Sequence, residues 1–234
     1  MSELRVALAG DDGTVRDAVE AAGGAVVPSD EADALVTFGE RALVDAALAG
    51  PAAPLFPVAG GEGRHSVPKP ELAAALDALA DGDVRRESHP ALSVRVGGDE
   101  TARALLDASL MTSEPARISE YSVHAAGEEV DRFRSDGVVV ATPAGSAGYA
   151  RAAGGPVLAP GTGLGLVPVS PFATNAETRV FDGDVTLVVE RDESDVSLVA
   201  DDRVVGSVPA ATPVEVAADG AVELLRVPGV GTSR

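Results

Sequence analysis

Residues whose types suit ligand binding are concentrated in residues 136–156, which read DGVVVATPAGSAGYARAAGGP. A short apolar run, residues 138–140, is followed by Thr142-Pro143 and then by five small residues, 144–148. An ordinary connection from a strand to a helix does not need so many positions without bulky side chains. Small residues after a strand let a flat ligand or its phosphate groups approach the backbone closely. The segment therefore indicates a binding site for such a ligand.

The elements that must position this segment are of two kinds. Apolar runs at residues 4–9, 33–38 and 55–58 alternate with helical patterns at residues 15–22, 42–48 and 70–80. The helix at 70–80 is the clearest, because proline opens it and Gly82 follows it. Alternating strands and helices predict a Rossmann-like α/β domain in which helices cover a parallel sheet. The run at residues 104–107, ALLD, is interpreted as part of a half-buried strand with one exposed acidic residue.

The second half of the chain has a different pattern. A charged stretch, residues 81–89, is interpreted as a linker, and short alternating runs separated by turn residues follow it. These runs are residues 91–96, 118–124, 138–141, 185–190, 196–200 and 214–217. They predict an antiparallel, sandwich-like β-rich domain. We therefore expect an α/β domain over residues 1–84 and a β-rich domain over residues 85–234.

The charge balance points to the environment more than to a partner. Acidic residues outnumber basic ones 37 to 18, the formal charge is −19, and Lys69 is the only lysine. Because 45% of the residues are hydrophobic, the acid does not mark a disordered tail. Dispersed acid with little lysine is typical of a halophile's cytoplasm, where dense salt screens self-repulsion. It also argues against a nucleic-acid partner, which needs basic patches.

Several classes of site and location are excluded by composition. Without cysteine the chain has no disulfide, zinc–thiolate site or cysteine nucleophile. The three histidines are isolated and show no metal-ligand spacing, so no metal site is predicted. The uncharged residues 152–176 are interrupted by glycine and proline, which disfavours a membrane span. With no signal-peptide pattern at residues 1–13, we expect a cytoplasmic protein without membrane contacts.

Residues 136–156 resemble the stretch DG-x-x-x-x-TPTGSTAY-x-x-x-x-GGP of the NAD kinase (ATP-NAD kinase) family. The resemblance is specific because about ten positions agree in order. It departs from the family at Ala147 and Gly148, where threonine and alanine are usual, and at Ala152, where a serine is usual. Together with the acid of residues 104–107, it implies NAD-binding residues Asp107, Asp136, Thr142, Gly145, Ser146, Ala147, Gly148, Tyr149 and Ala152. In the family the run 104–107 carries an Asn-Glu pair, which is Leu106 and Asp107 here.

The family also has an earlier GGDGT turn that handles phosphates, and two segments compete for its place. Residues 10–14, GDDGT, match the letters but follow the first strand. Residues 38–42, FGERA, match the position, since a strand precedes them and a helix follows. We favour the second segment, so the resemblance implies Glu40 as the general base at the ribose 2′-hydroxyl. Phosphate or ATP contacts then fall to Gly39, Arg41, Gly60 and Gly61. The alternative interpretation of this segment is a charged surface turn.

Three functions remain open at this stage. The resemblance implies transfer of the ATP γ-phosphoryl group to the 2′-hydroxyl of NAD, with Mg²⁺ accompanying ATP. The altered phosphate turn beside a kept binding segment fits a catalytically inactive nucleotide-binding paralogue with a regulatory or structural role. The missing asparagine makes a kinase with another acceptor conceivable, such as a lipid, sugar or nucleoside. The partners implied are NAD(P), ATP and further copies of the chain in a homodimer or homotetramer.

Overall fold

A computed structural model describes residues 4–10, 13–61, 63, 65–114, 117–172, 176–191 and 194–230. The chain divides into two compact units. The first contains Met1–His89 together with Ala221–Arg234, and the second contains Pro90–Gly220. The second unit is therefore inserted into the sequence of the first. Two long strands, β5 (Arg85–Val96) and β16 (Pro213–Arg226), begin in one unit and end in the other.

The first unit is α/β. Its remaining elements are β1 (Arg5–Ala9), α1 (Thr14–Ala21), β2 (Ala25–Val26), β3 (Ala34–Phe38), α2 (Glu40–Leu48), β4 (Leu55–Val58), a 3-10 turn (Lys69–Glu71) and α3 (Leu72–Asp81). Strand β1 pairs in parallel with β2 and β3, and β3 pairs in parallel with β4. Strand β4 in turn pairs in parallel with β16 at Leu55 and Leu224. The predicted parallel sheet is confirmed, with a last strand that comes from the far end of the chain.

Helices α1 and α3 supply apolar faces to the core of this unit. Val15 and Val19 of α1, with Leu72 and Leu76 of α3, are buried in one cluster with residues of β1, β3 and β4. The helix predicted at residues 70–80 is confirmed, with Pro70 in the preceding 3-10 turn. Gly82 ends it in the left-handed conformation that glycine adopts without a Cβ penalty.

The second unit is an antiparallel β-rich unit, as predicted. Its remaining elements are β6 (Asp99–Ala104), β7 (Asp107–Thr112), β8 (Ser119–Ala125), β9 (Glu128–Ser135), β10 (Gly137–Ala141), a 3-10 turn (Gly145–Ala147), α4 (Tyr149–Ala152), β11 (Leu164–Val169), β12 (Arg179–Phe181), β13 (Val185–Arg191), β14 (Val196–Ala200) and β15 (Arg203–Val208). One sheet has the order β12-β11-β10-β7-β14-β15. In the other, β8 lies between β9 and β13, and β13 also pairs with the start of β16.

The core of the second unit lies between these two sheets. Leu110, Val140 and Leu198 of the six-stranded sheet share a buried cluster with Tyr121 and Leu187 of the other sheet. Strands β13 and β14 alternate buried and partly exposed positions, whereas all residues of β10 are buried. The site segment 136–156 belongs to the six-stranded sheet, because it begins at β10 and continues into α4.

The interpretation of residues 81–89 as a linker is wrong. Strand β5 starts at Arg85, within this segment, and its side chains are exposed at the start but mostly buried from His89 to Val94. Glu87 lies 3.5 Å from a guanidinium nitrogen of Arg226, and His89 is only 3% exposed. The segment thus enters the first unit through Glu87 and His89, while its arginines remain exposed. Among the described residues, no helix is long and apolar enough to cross a bilayer.

The division expected after residue 84 also differs from the structure at its far end. Residues 221–234 group with the first unit, whereas composition placed them in the β-rich domain. The reason is that the second half of β16 carries buried Leu224 and Leu225 beside the parallel sheet. Residues 231–234 lie outside the described residues.

Candidate nucleotide-binding site

The turn after β10 is held by the buried hydroxyl of Thr142. This hydroxyl donates to the carbonyl oxygens of Leu105, at 2.8 Å, and Leu106, at 3.1 Å. It also accepts from the N–H of Gly145 at 3.2 Å. The single side chain therefore joins the residues after β10 to the bend before β7.

Gly145 lies directly against that bend. A Cβ atom at this position would overlap the carbonyl oxygen and carbonyl carbon of Leu106. Real Cβ atoms do not approach backbone atoms so closely, so only glycine fits here without movement of one chain segment. The small residues of the segment thus allow two backbone segments to pack closely, whether or not they also allow a ligand to approach.

Ser146 completes the turn and is 1% exposed. Its hydroxyl donates to the carbonyl oxygen of Pro143 at 2.9 Å and accepts from the N–H of Leu158 at 2.9 Å. The hydroxyls of Thr142 and Ser146 are therefore both engaged within the unit. Their NAD contacts stay a prediction, and in the structure the two side chains shape the turn.

The bend Leu105–Leu106 is held on its other side by Asp201, a residue that the sequence analysis did not single out. One carboxylate oxygen of Asp201 accepts from the N–H of Leu106 at 2.7 Å, and the carboxylate also accepts from Leu105 and Asp107. Burial raises the pKa of Asp201, and these three N–H groups with Arg203 oppose the rise. The signal in the sequence was an acidic residue in the turn after β14.

The prediction that residues 104–107 lie within one strand is wrong. Leu105 and Leu106 form a bend between β6 and β7, and Asp107 is the first residue of β7. Asp107 is only 8% exposed, so it is not the exposed acid that the pattern indicated. The bend forms because Asp201 and Thr142 take the backbone groups that a strand partner would otherwise take.

Tyr149, Asp107 and Asp136 are the polar residues predicted to form the lining of the site. Tyr149 is 44% exposed at the start of α4, and its hydroxyl lies 3.8 Å from the sulfur of Met111. Burial, followed by the negative charges of Asp107 and Asp136, raises the pKa of Tyr149. The charges of both carboxylates therefore act on the Tyr149 hydroxyl. A half-exposed aromatic ring near two carboxylates can stack on a flat group and accept hydrogen bonds from its hydroxyls.

The other small residues of the segment lie beside this lining. Ala147 is half-buried in the 3-10 turn, Gly148 is half-buried, and Ala152 is exposed at the end of α4. None of the three has a side chain that could fill the space next to Tyr149. Each therefore leaves backbone accessible at the point where larger residues would cover it.

The first unit holds the predicted phosphate-handling residues. Gly39, with φ of 90°, precedes α2, and Glu40 is the first residue of that helix. A Cβ atom at Gly61 would overlap the Glu40 carboxylate, so this carboxylate lies against the glycine-rich turn after β4. The N–H of Gly60 donates to the hydroxyl of Ser66 at 2.7 Å. Glu40, Gly60 and Gly61 are thus brought together, while exposed Arg41 forms an ion pair with Asp45 at 3.5 Å.

The two segments that competed for the phosphate turn are neighbours in the structure. A Cβ atom at Gly10 would overlap the Cβ of Ala42 and the carbonyl oxygen of Phe38. Both turns follow strands of one parallel sheet, at the edge where open α/β sheets bind ligands. Asp11 and Asp12 lie outside the described residues. The turn whose sequence matches the family, residues 10–14, and the turn whose position matches it, residues 38–42, therefore lie next to each other at one edge of the sheet.

Comparisons with known proteins agree with this arrangement. The ATP-NAD kinase C-terminal domain model matches residues 106–220. The NAD kinase of Methanopyrus kandleri is 34% identical over 123 residues, which are 52% of this chain and 45% of that protein. The matched stretch thus spans less than half the length of this relative.

Two solved structures share the fold. A yeast NADH kinase complexed with NADH has a TM-score of 0.74 at 15% identity and covers 97% of this chain and 84% of its own. An NAD kinase from Archaeoglobus fulgidus in complex with ATP has a TM-score of 0.68 at 23% identity, with coverage of 97% and 94%. The α/β unit and the antiparallel β unit therefore have the fold of the NAD and NADH kinases. Residues 106–220 belong to the ATP-NAD kinase C-terminal domain family.

Proposed function

We propose that the second unit binds NAD along residues 136–152 and that the chain transfers the γ-phosphoryl group of ATP to the NAD 2′-hydroxyl. The observation that carries this proposal is the close fit of Gly145 on the Leu105–Leu106 bend. This fit holds Asp107 and Tyr149 in one lining, which suits a nucleotide with a ring and ribose hydroxyls. The family membership of residues 106–220 supports the choice of NAD.

The binding roles follow from the chemistry of each side chain. Tyr149 presents a ring on which a purine or nicotinamide can stack, a contact worth about 1 kcal/mol. The carboxylates of Asp107 and Asp136 accept hydrogen bonds from ribose hydroxyl or amide groups. Ala147, Gly148 and Ala152 leave room for the ligand, while Thr142, Gly145 and Ser146 maintain the turn. The Leu106 side chain offers only apolar contact.

The transfer step assigns Glu40 to proton removal. The 2′-oxygen of NAD bonds to the γ-phosphorus, the bond from that phosphorus to the β,γ-bridging oxygen breaks, and ADP leaves. The proton of the 2′-hydroxyl passes to the Glu40 carboxylate, which acts as general base. Mg²⁺ enters with ATP as part of the substrate. Gly39, Gly60 and Gly61, whose missing side chains let phosphate groups approach the backbone, and the guanidinium of Arg41 are the phosphate contacts of this proposal.

A second candidate function is that of an inactive paralogue that binds a nucleotide in a regulatory or structural role. Two observations favour it: Arg41 is already paired with Asp45, and Leu106 lacks the amide of an asparagine. Glu40 is also one methylene longer than the aspartate of the family turn, and about 1 Å of misplacement costs roughly 10²-fold in rate. The same leucine favours the third candidate, a kinase with a lipid, sugar or nucleoside acceptor.

The deciding experiment measures NADP formation from NAD, ATP and Mg²⁺ in multi-molar KCl, alongside equilibrium binding of NAD. We expect NADP from the wild type, none from Glu40→Ala, and unchanged formation from Glu71→Ala, which removes an exposed carboxylate of the same unit. NAD binding should persist in all three proteins. Binding without NADP formation in the wild type would replace the kinase by the inactive paralogue. Absence of both would leave the other acceptors to be assayed.

The assembly state belongs to the same proposal. We propose a homodimer or homotetramer, on the strength of the family resemblance. Light scattering in the assay buffer measures the mass, and a monomer at assay concentrations would contradict this part without affecting the kinase test.

A further inference from the structure

Outside the site described above, three potential metal ligands converge on strands β8, β9 and β13 of the second unit. A ligand atom from each of His124, Glu129 and Glu190 lies within 4.8 Å of the other two. His124 and Glu129 are cross-strand partners, and Glu190 comes from the strand on the other side of β8. The histidines looked isolated in sequence because these three residues are brought together only by strand pairing.

Irregular pairing directs these side chains to one place. The β8–β9 register shifts between Val123 and His124, and the β8–β13 register shifts between Val189 and Arg191, on either side of Glu190. Such bulges turn a strand and re-aim its side chains, and they are frequent beside functional sites. Two independent bulges therefore converge on the same three ligands.

A buried serine supports two of the three ligands. Ser122 is fully buried, and its hydroxyl donates to Glu190 Oε1 at 2.6 Å. The same hydroxyl oxygen lies 3.0 Å from His124 Nε2. Metal-ligating imidazoles and carboxylates are usually oriented by such hydrogen bonds from outer residues. Ser122 thus fixes the relative placement of one nitrogen ligand and one oxygen ligand.

The guanidinium of Arg132 occupies the position of a cation in this cluster. It donates to Glu129 at 2.9 and 2.7 Å and to Glu190 at 3.2 Å. The carboxylate of Glu120 also lies near this guanidinium, at 3.6 Å. Three carboxylates facing one guanidinium carry two more negative charges than it offsets. The Arg132 side chain is 42% exposed and can rotate into solvent when another cation takes its place.

We propose that His124, Glu129 and Glu190 bind a divalent transition-metal ion of the zinc class, which displaces the Arg132 guanidinium from the two carboxylates. One imidazole nitrogen and two carboxylate oxygens form a common zinc ligand set, with the fourth position left to water. The imidazole selects Zn²⁺ over Mg²⁺, which prefers oxygen ligands alone. Ligands within 4.8 Å of one another need only small movements to reach zinc distances of about 2.0–2.2 Å.

The first test measures Zn²⁺ binding to the full chain by equilibrium dialysis, with excess Mg²⁺ present. We expect one Zn²⁺ per chain, and at least about tenfold weaker binding in His124→Gln and in Glu129→Gln, since loss of even a supporting partner costs that much. The control is Glu128→Gln, which removes the same charge from the adjacent exposed residue and should bind like the wild type. Equal binding by His124→Gln and the wild type would overturn the site and leave diffuse binding to the acidic surface.

The variant Arg132→Gln is expected to change the affinity for Zn²⁺ in the opposite direction. If the guanidinium competes with the ion, this variant binds Zn²⁺ more tightly than the wild type; weaker binding would contradict displacement. A second measurement checks the ligand directly in the folded protein. The chain has three histidines, so Co²⁺ should broaden one set of imidazole NMR signals, the set that is missing from the His124→Gln spectrum. Broadening of a different histidine would also overturn the proposal.

Discussion

At the scale of single residues, Gly145 leaves no room for a side chain. Gly145→Ala places a methyl group on the Leu106 carbonyl, so the two segments must separate. We expect the free energy of unfolding to fall by about 1–3 kcal/mol, the usual cost of overpacking, with weaker NAD binding because Asp107 moves with the bend. Urea unfolding and equilibrium NAD binding measure the two effects.

Gly183→Ala is the matched control for that substitution. Its Cβ atom would meet no atom within 4 Å, and its φ does not lie in the left-handed region. The same change of residue type should therefore leave stability within about 0.5 kcal/mol of the wild type, as surface substitutions usually do. If both variants lose equal stability, the close fit of Gly145 is not the cause.

A second prediction at this scale concerns His65, which is 4% exposed in the first unit. Burial and then the charge of nearby His89 lower its pKa from 6.5 to about 4, against the opposing effects of a hydrogen bond to Gly60 and of Glu87. The unfolded chain therefore binds a proton at a higher pH than the folded chain does. Stability present above pH 6.5 is lost as the pH falls toward 4, by about 3 kcal/mol.

The measurement is the free energy of unfolding of the wild type and of His65→Gln between pH 4 and 9. The variant has no titrating group at this position, so its stability should fall less steeply between pH 6.5 and 4. Above pH 7 the two curves should run parallel, whatever the absolute cost of the substitution. Parallel curves at low pH as well would show that other groups carry the pH dependence.

At the scale of elements, the bend between β6 and β7 depends on the turn after β14. Asp201→Ala removes the acceptor of three N–H groups at Leu105, Leu106 and Asp107. Leaving buried donors unpaired costs about 1–3 kcal/mol each, and relaxation of the bend limits the total. We expect a loss of several kcal/mol in chemical unfolding, with a smaller loss in Asp201→Asn, whose carbonyl oxygen still accepts.

Asp184→Ala provides the comparison, because it removes an exposed carboxylate from the same unit. It should change stability little. The order expected is therefore wild type and Asp184→Ala, then Asp201→Asn, then Asp201→Ala. A variant Asp201→Ala as stable as the wild type would mean that water replaces the carboxylate at all three donors.

Sequence patterns predicted those elements whose signals are local. The proline and glycine around α3 and the apolar run of β4 each act within a few residues, so both elements were predicted correctly. The bend at Leu105–Leu106 was not predicted, since Asp201 and Thr142 hold it from distant parts of the sequence. Only the second half of β5 was predicted, as residues 91–96. Its first half was missed because Arg226, the partner that makes Glu87 acceptable near the core, is also distant in sequence.

The candidate site shows the same difference between features with local sequence signals and features that depend on distant residues. The small residues at 144–148 and the aromatic Tyr149 were recognisable from their order along the chain. That the hydroxyls of Thr142 and Ser146 face inward was not, because their acceptors and donors include Leu105 and Leu158. Spacing identifies the residues of a turn, whereas the direction of each side chain depends on what the fold places around it.

At the scale of the whole molecule, the charge of −19 makes stability depend on salt. We expect the thermal midpoint to rise steeply with KCl up to about 1 M, where the Debye length has fallen to about 3 Å, and then to level off. Scanning calorimetry from 0.1 to 4 M KCl measures this. A rise that continues linearly to 4 M would indicate strengthened burial of apolar surface in place of screening.

The insertion of residues 90–220 between the parts of the first unit has a consequence for biosynthesis. The parallel sheet pairs Leu55 with Leu224, and the ribosome makes Leu224 only after the entire inserted unit. The first unit to be started is therefore the last that can be finished. During translation the β unit has all of its own strands first, while β4 waits with an unpaired edge. Slow synthesis through residues 90–220 would prolong the exposure of that edge to other nascent chains.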